Sequence, residues 1–170
     1  MQDATGTKRQ HERAVFFDFA KAANIHVDEA SVELRDPPEP DIRCICDGER
    51  VYFELGRLLD PGMQRLRLKA MRNAPKPVAV DPNGVGLPER DVLRNKVSKT
   101  YETGGLPLEL VLYFDAENWL VAGGIVTDDF PRHARHVMEP ILTPMPAHIR
   151  RVWVFERYRN SVLWCHPARQ

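Results

Sequence analysis

The sequence predicts a layered α/β domain, and three observations carry that expectation. Some stretches repeat apolar residues at helical spacing, others are short strand-length apolar runs, and the two kinds are interleaved along the chain. No internal repeat or low-complexity segment interrupts them. A length of 170 residues suits one domain plus at most a short appendage. The expected division is a flexible polar arm over residues 1–10 and a single domain over 11–170.

From Glu12 to about Ala23 the residues Val15, Phe16, Phe19, Ala20 and Ala23 fall on one helical face. Asp36-Pro37-Pro38-Glu39-Pro40 is rigid and extended, because each proline fixes its own φ and biases its predecessor away from helix. Two short strands follow, Asp41–Cys46 and Arg50–Gly56, joined by Asp47-Gly48, a strong hairpin signal. Pro61 to Asn73 reads as a basic helix, and Ala74 to Pro88 as loop. Pro88 to Glu102 has proline early, acids in the first turn, lysines later and Gly104-Gly105 beyond its end, the polarity of a helix. Leu108–Phe114 is an apolar strand, Asp128 to Leu142 a helix, and Arg151–Glu156 with Ser161–Cys165 a closing strand pair.

Composition narrows the function classes. Lys and Arg number 24 against 24 Asp and Glu, and 43% of residues are hydrophobic, an ordinary globular balance. This excludes a supercharged nucleic-acid coat, a disordered tail and a collagen-like fibre. No stretch approaches the roughly 18 apolar residues that cross a bilayer, and the first residues lack the apolar core of a secretory signal. No membrane association and a cytoplasmic location are therefore expected. Three cysteines make no disulfide framework. Cys44 and Cys46 share one strand face and read as small buried apolar groups.

The hairpin holds the chemistry. A two-residue Asp47-Gly48 loop pairs Cys46 with Glu49, Ile42 with Phe53 and Asp41 with Glu54. One face then carries Ile42, Cys44, Cys46, Val51, Phe53 and Leu55, all apolar. The other carries Asp41, Arg43, Ile45, Arg50, Tyr52 and Glu54, and must meet solvent or a site. Directly opposed carboxylates repel, so Asp41 and Glu54 require either a raised pKa or a cation. Two oxygen ligands with open positions suit Mg²⁺ or Mn²⁺, the outline of a metal-assisted phosphodiester site.

Pro40-Asp41, twelve residues, then Glu54-Leu55-Gly56 resembles the signature of the PD-(D/E)XK phosphodiesterase superfamily, which includes restriction endonucleases and repair nucleases. The resemblance spans roughly residues 10–120. It implies a restriction endonuclease-like fold, a central mixed β-sheet flanked by helices. It also implies a preceding-helix glutamate that helps bind metal, for which Glu12 is the match. The family's lysine position is Gly56 here, and Arg57 points to the opposite strand face. Some branches supply the lysine from the next helix. Lys96-Val97-Ser98-Lys99-Thr100-Tyr101 is similar to their K-x-x-K-x-Y pattern, with Lys96 first and Lys99 second.

The resemblance implies a catalytic set of Asp41, Glu54, Lys96, Lys99 and Glu12. Asp41, Glu54, the Leu55 carbonyl and Glu12 are the candidate metal ligands. Arg43, Arg50 and Tyr52 follow on the same hairpin face and are expected to touch a phosphate backbone. Between Arg57 and Lys76 stand six basic residues, including Arg65, Arg67, Lys69 and Arg72, against Asp60 alone. Such a patch flanks a bound nucleic acid or is simply solvated. Two functions are therefore expected. One is Mg²⁺-dependent hydrolysis of nucleic acid, with DNA the anticipated partner. The other is an inactive binding or assembly module of the same fold, acting as a homodimer through its C-terminal strands. His133, His136 and Glu139 have metal-ligand spacing, but surface histidines are the commoner explanation.

Overall fold

The computed structural model describes residues 4–58, 88–115 and 130–169. Its elements are α1 (Ala4–Ala22), β1 (Val27–Leu34), β2 (Ile42–Cys46), β3 (Glu49–Arg57), α2 (Pro88–Val97), β4 (Leu108–Phe114), α3 (Phe130–Val137), a 3₁₀ turn (Glu139–Leu142), β5 (Arg151–Glu156) and β6 (Ser161–His166). The expected basic helix over 61–73, with Arg65, Arg67, Lys69 and Arg72, lies outside the described residues.

The six strands form one mixed sheet in chain order. β1–β2, β2–β3 and β5–β6 pair antiparallel, whereas β3–β4 and β4–β5 pair parallel. Parallel neighbours need crossovers, and two crossovers of one hand stepping the same way across a sheet place their helices on one face. α2 and α3 accordingly share a face. Leu93, Phe130, Ala134 and Met138 pack there on Leu108, Leu110, Leu112, Val152 and Val154. α1 covers the other face, setting Val15, Phe16 and Phe19 against Phe53, Val111, Trp153 and Phe155. The result is a layered α/β domain with the sheet between helices.

The hairpin register is as the turn requires: Cys46 opposes Glu49 and Ile42 opposes Phe53. Asp47 and Gly48 both have positive φ, 51° and 83°, the geometry of a tight two-residue turn. Four elements differ from expectation. The segment expected as a polar arm is helical from Ala4, held by the Arg9–Asp36 ion pair and the Lys8–Glu12 pair. β1 has no counterpart in the sequence reading. It is an edge strand with a bulge between Asp28 and Glu33, so its apolar residues do not alternate. α2 stops at Val97 rather than Glu102. The helix expected to run to Leu142 changes to a 3₁₀ turn, because Pro140 has no N–H to continue the α ladder.

Candidate functional site

The site forms where the proline loop enters β2, beside the middle of β3. β2 and β3 are locked by the hairpin register, so Asp41, just before β2, lies beside Glu54 on β3. The two carboxylates are tied by the backbone as well. The Asp41 N–H donates to Glu54 Oε2 at 3.2 Å, and the Leu55 N–H donates to Asp41 Oδ2 at 2.8 Å. Lys96 reaches down from the last turn of α2. Its ammonium donates to Glu54 Oε1 at 2.6 Å and to the Leu55 carbonyl at 2.7 Å. The Tyr101 hydroxyl donates to the Lys96 carbonyl at 3.2 Å, fixing the chain that leaves the helix.

Gly56 explains how a lysine from another element arrives here. A Cβ at this position would lie 2.7 Å from Leu112 Cδ2, 3.1 Å from Val92 Cγ1 and 3.5 Å from Lys96 Cε. The bare backbone lets α2 settle close to β3, and the Lys96 stem passes over the gap. Gly56→Ala is expected to cost about 1–3 kcal/mol through overpacking, measured as a lower urea midpoint with an unchanged slope.

Charge at the cluster is unbalanced. Burial pushes the Asp41 carboxyl up to about 6, reinforced by the Glu54 charge and more weakly by Glu12, against the Leu55 N–H and Lys96. Burial and the neighbouring Glu54 carboxylate also push the Tyr101 phenol up. Glu12, on α1, faces Lys8 at 3.3 Å and acts on Asp41 only as a like charge through space. Among the described residues no three His, Cys, Asp or Glu side chains gather tightly enough to hold an ion by themselves. The oxygen donors at hand are the Asp41 and Glu54 carboxylates and the Leu55 carbonyl, a hard set suited to Mg²⁺ or Mn²⁺.

The other candidates are placed as follows. Lys99 is exposed beyond the end of α2 and does not share a helix face with Lys96. The hairpin face expected to meet solvent or a site is partly covered. Tyr52 is in the core, and its hydroxyl donates to Glu39 at 2.6 Å, so it holds the proline loop instead of standing open to a nucleic acid. Arg43 pairs with Glu33 at 2.7 Å while remaining about one-third exposed, and Arg50 is exposed. Arg57 turns to the α1 side and pairs with Asp115 at 3.1 Å. His133, considered above as a metal ligand, bonds the buried Glu89 on α2.

Two further polar groups are not apparent from sequence, one bracing the loop that carries Asp41 and one beside Arg57. Arg35 grips Glu39 through Nε at 2.9 Å and Nη2 at 2.5 Å. That guanidinium, with the Tyr52 hydroxyl, holds the Glu39 carboxyl down at about 2. This clamp anchors the loop that delivers Asp41. The second is Asp115 at the C-terminal end of β4, buried and contacted by Arg57 and by His11 at 3.5 Å. An acid directly after an apolar parallel strand was the available signal, since α/β sites gather at such strand ends.

No family model, curated protein or solved structure matches this chain.

Proposed function

We propose that the chain hydrolyses phosphodiester bonds in nucleic acid, with DNA the expected substrate, on a restriction endonuclease-like fold of the PD-(D/E)XK kind. One observation supports this above the rest. Asp41, Glu54, the Leu55 carbonyl and the Lys96 ammonium meet in one partly buried cluster, although Lys96 comes from a separate helix. Asp41, Glu54 and the Leu55 carbonyl would hold Mg²⁺ or Mn²⁺, with Glu12 nearby. The donor chemistry fits, because the two carboxylates outnumber Lys96, and burial together with the Glu54 charge raises the Asp41 pKa. When bound, the ion supplies Lewis acidity and neutralises phosphate charge.

The chain's own groups supply the rest. The Leu55 N–H and the Asp41 N–H fix the two carboxylates. Lys96 would swing from Glu54 toward the scissile phosphate, steadying its developing charge. Arg43 and Arg50 extend the same hairpin face and offer phosphate contacts.

A second reading has its own observation. The Lys96 ammonium rests on Glu54 and on the Leu55 carbonyl, two of the oxygens a metal would take. A permanently closed bridge there would leave an inactive binding or assembly module. A cleavage assay separates the two, using single- and double-stranded DNA and RNA with Mg²⁺ or Mn²⁺. Metal-dependent cleavage lost in Glu54→Gln is expected. No cleavage of any substrate by the native chain favours the module.

A further inference from the structure

We infer that the α1 face of the sheet carries a second site, a receptor for a small organic carboxylate built around Arg151. A pocket of about 230 Å³ opens where β3, β4 and β5 begin, beneath the end of α1. It lies on the sheet face opposite Lys96 and stands independently of the phosphodiesterase reading.

Three guanidiniums line the pocket, those of Arg150, Arg151 and Arg169. Its acids are already occupied. Glu109, almost fully buried, accepts from the Trp153 indole at 2.6 Å and from Arg150 Nε at 2.9 Å. Glu49 accepts from Arg150 at 2.5 Å, and Asp47 from Arg169 at 2.9 Å. Each acid is thus held by Arg150, Arg169 or the Trp153 indole rather than by a hydrogen bond from Arg151.

The Arg151 side chain makes no hydrogen bond among the described residues, and its buried Nε has no partner. Its nearest acid is Glu109, opposite it across the strands, at 3.6 Å. The guanidinium lies over the Trp153 ring, 5.4 Å from the centroid, a cation–π contact that helps hold it in place. With Nε buried, the two partly exposed Nη ends form a fork of unbonded N–H groups that matches a carboxylate bidentately.

Size and lining identify the ligand class. The volume of about 230 Å³ falls below the roughly 300–1,000 Å³ of common ligand pockets and suits a small ligand. Ile25 adds a small apolar edge beside the charged groups. A short organic acid satisfies both the fork and this edge.

The Trp153 indole N–H reports on the site, since it bonds Glu109 beside Arg151. Its resonance, assigned with Trp153→Phe, is followed in a ¹⁵N–¹H spectrum during titration with sodium benzoate, with sodium chloride at matched ionic strength as reference. A saturable shift specific to benzoate is expected, weakened at least tenfold in Arg151→Gln. If that variant does not fold, Arg151→Lys replaces it, because an ammonium keeps the charge but loses the fork. Absence of a saturable shift in the native chain, or undiminished affinity in the folded variant, overturns the assignment.

Discussion

Lys96→Met is expected to destabilise the fold by about 3–5 kcal/mol near neutral pH, the cost of leaving a buried ion pair without one partner. Methionine keeps an apolar stem over Gly56, so lost charge dominates over lost packing. Glu54 is nearly inaccessible and Asp41 lies beside it, hence two carboxylates would face each other without the cation nearest them among the described residues. Urea unfolding measures the loss, which should narrow in acid as the pair protonates. Mn²⁺ should restore much of it, since an ion at 100 times its dissociation constant adds about 2.7 kcal/mol. Hydrolysis should not return with the stability. Loss of one transition-state hydrogen-bond donor typically costs about 10²–10³ in turnover, and a metal cannot replace the lysine's own contact with phosphate.

Asp41→Asn should act in the opposite direction. The folded carboxyl titrates at about 6 against an ordinary 3.8. Between those values the native state holds a proton that the unfolded chain has released, so unfolding free energy falls as pH rises. The full cost is present above pH 6 and absent below pH 4, about 3 kcal/mol at 1.36 kcal/mol per unit. Asparagine never ionises and still accepts from the Leu55 N–H. The variant is therefore expected to exceed the native chain by about 1–3 kcal/mol at pH 7 and to match it near pH 4, measured by urea unfolding across that range. A stabilising substitution that abolishes activity marks a residue kept for chemistry at the expense of the fold.

The central hairpin was legible because its information is local. Asp47-Gly48 dictates the turn, the turn dictates the register, and the register sets Asp41 beside Glu54. The strand Leu108–Phe114 was equally plain, since a strand buried on both faces shows as an unbroken apolar run. β1 was hidden because an edge strand with a bulge needs no alternation. Tyr52 lies on the face that periodicity assigns it, but periodicity does not say that helices cover that face. The Arg35–Glu39–Tyr52 clamp joins a strand end, a loop and a neighbouring strand, and no spacing rule connects them. Lys96 could be named from its pattern. Its contact with Glu54 depends on how closely α2 approaches β3 at Gly56, which is a tertiary property.

Shared binding of a divalent ion by Asp41 and Glu54 is tested most directly by calorimetric titration with Mn²⁺ at pH 7.5. Saturable binding is predicted for the native chain, weakened as pH falls through 6, retained in Lys96→Met and lost in both Asp41→Ala and Glu54→Gln. Binding that survives either carboxylate substitution, or a native chain that takes up no ion, would contradict it.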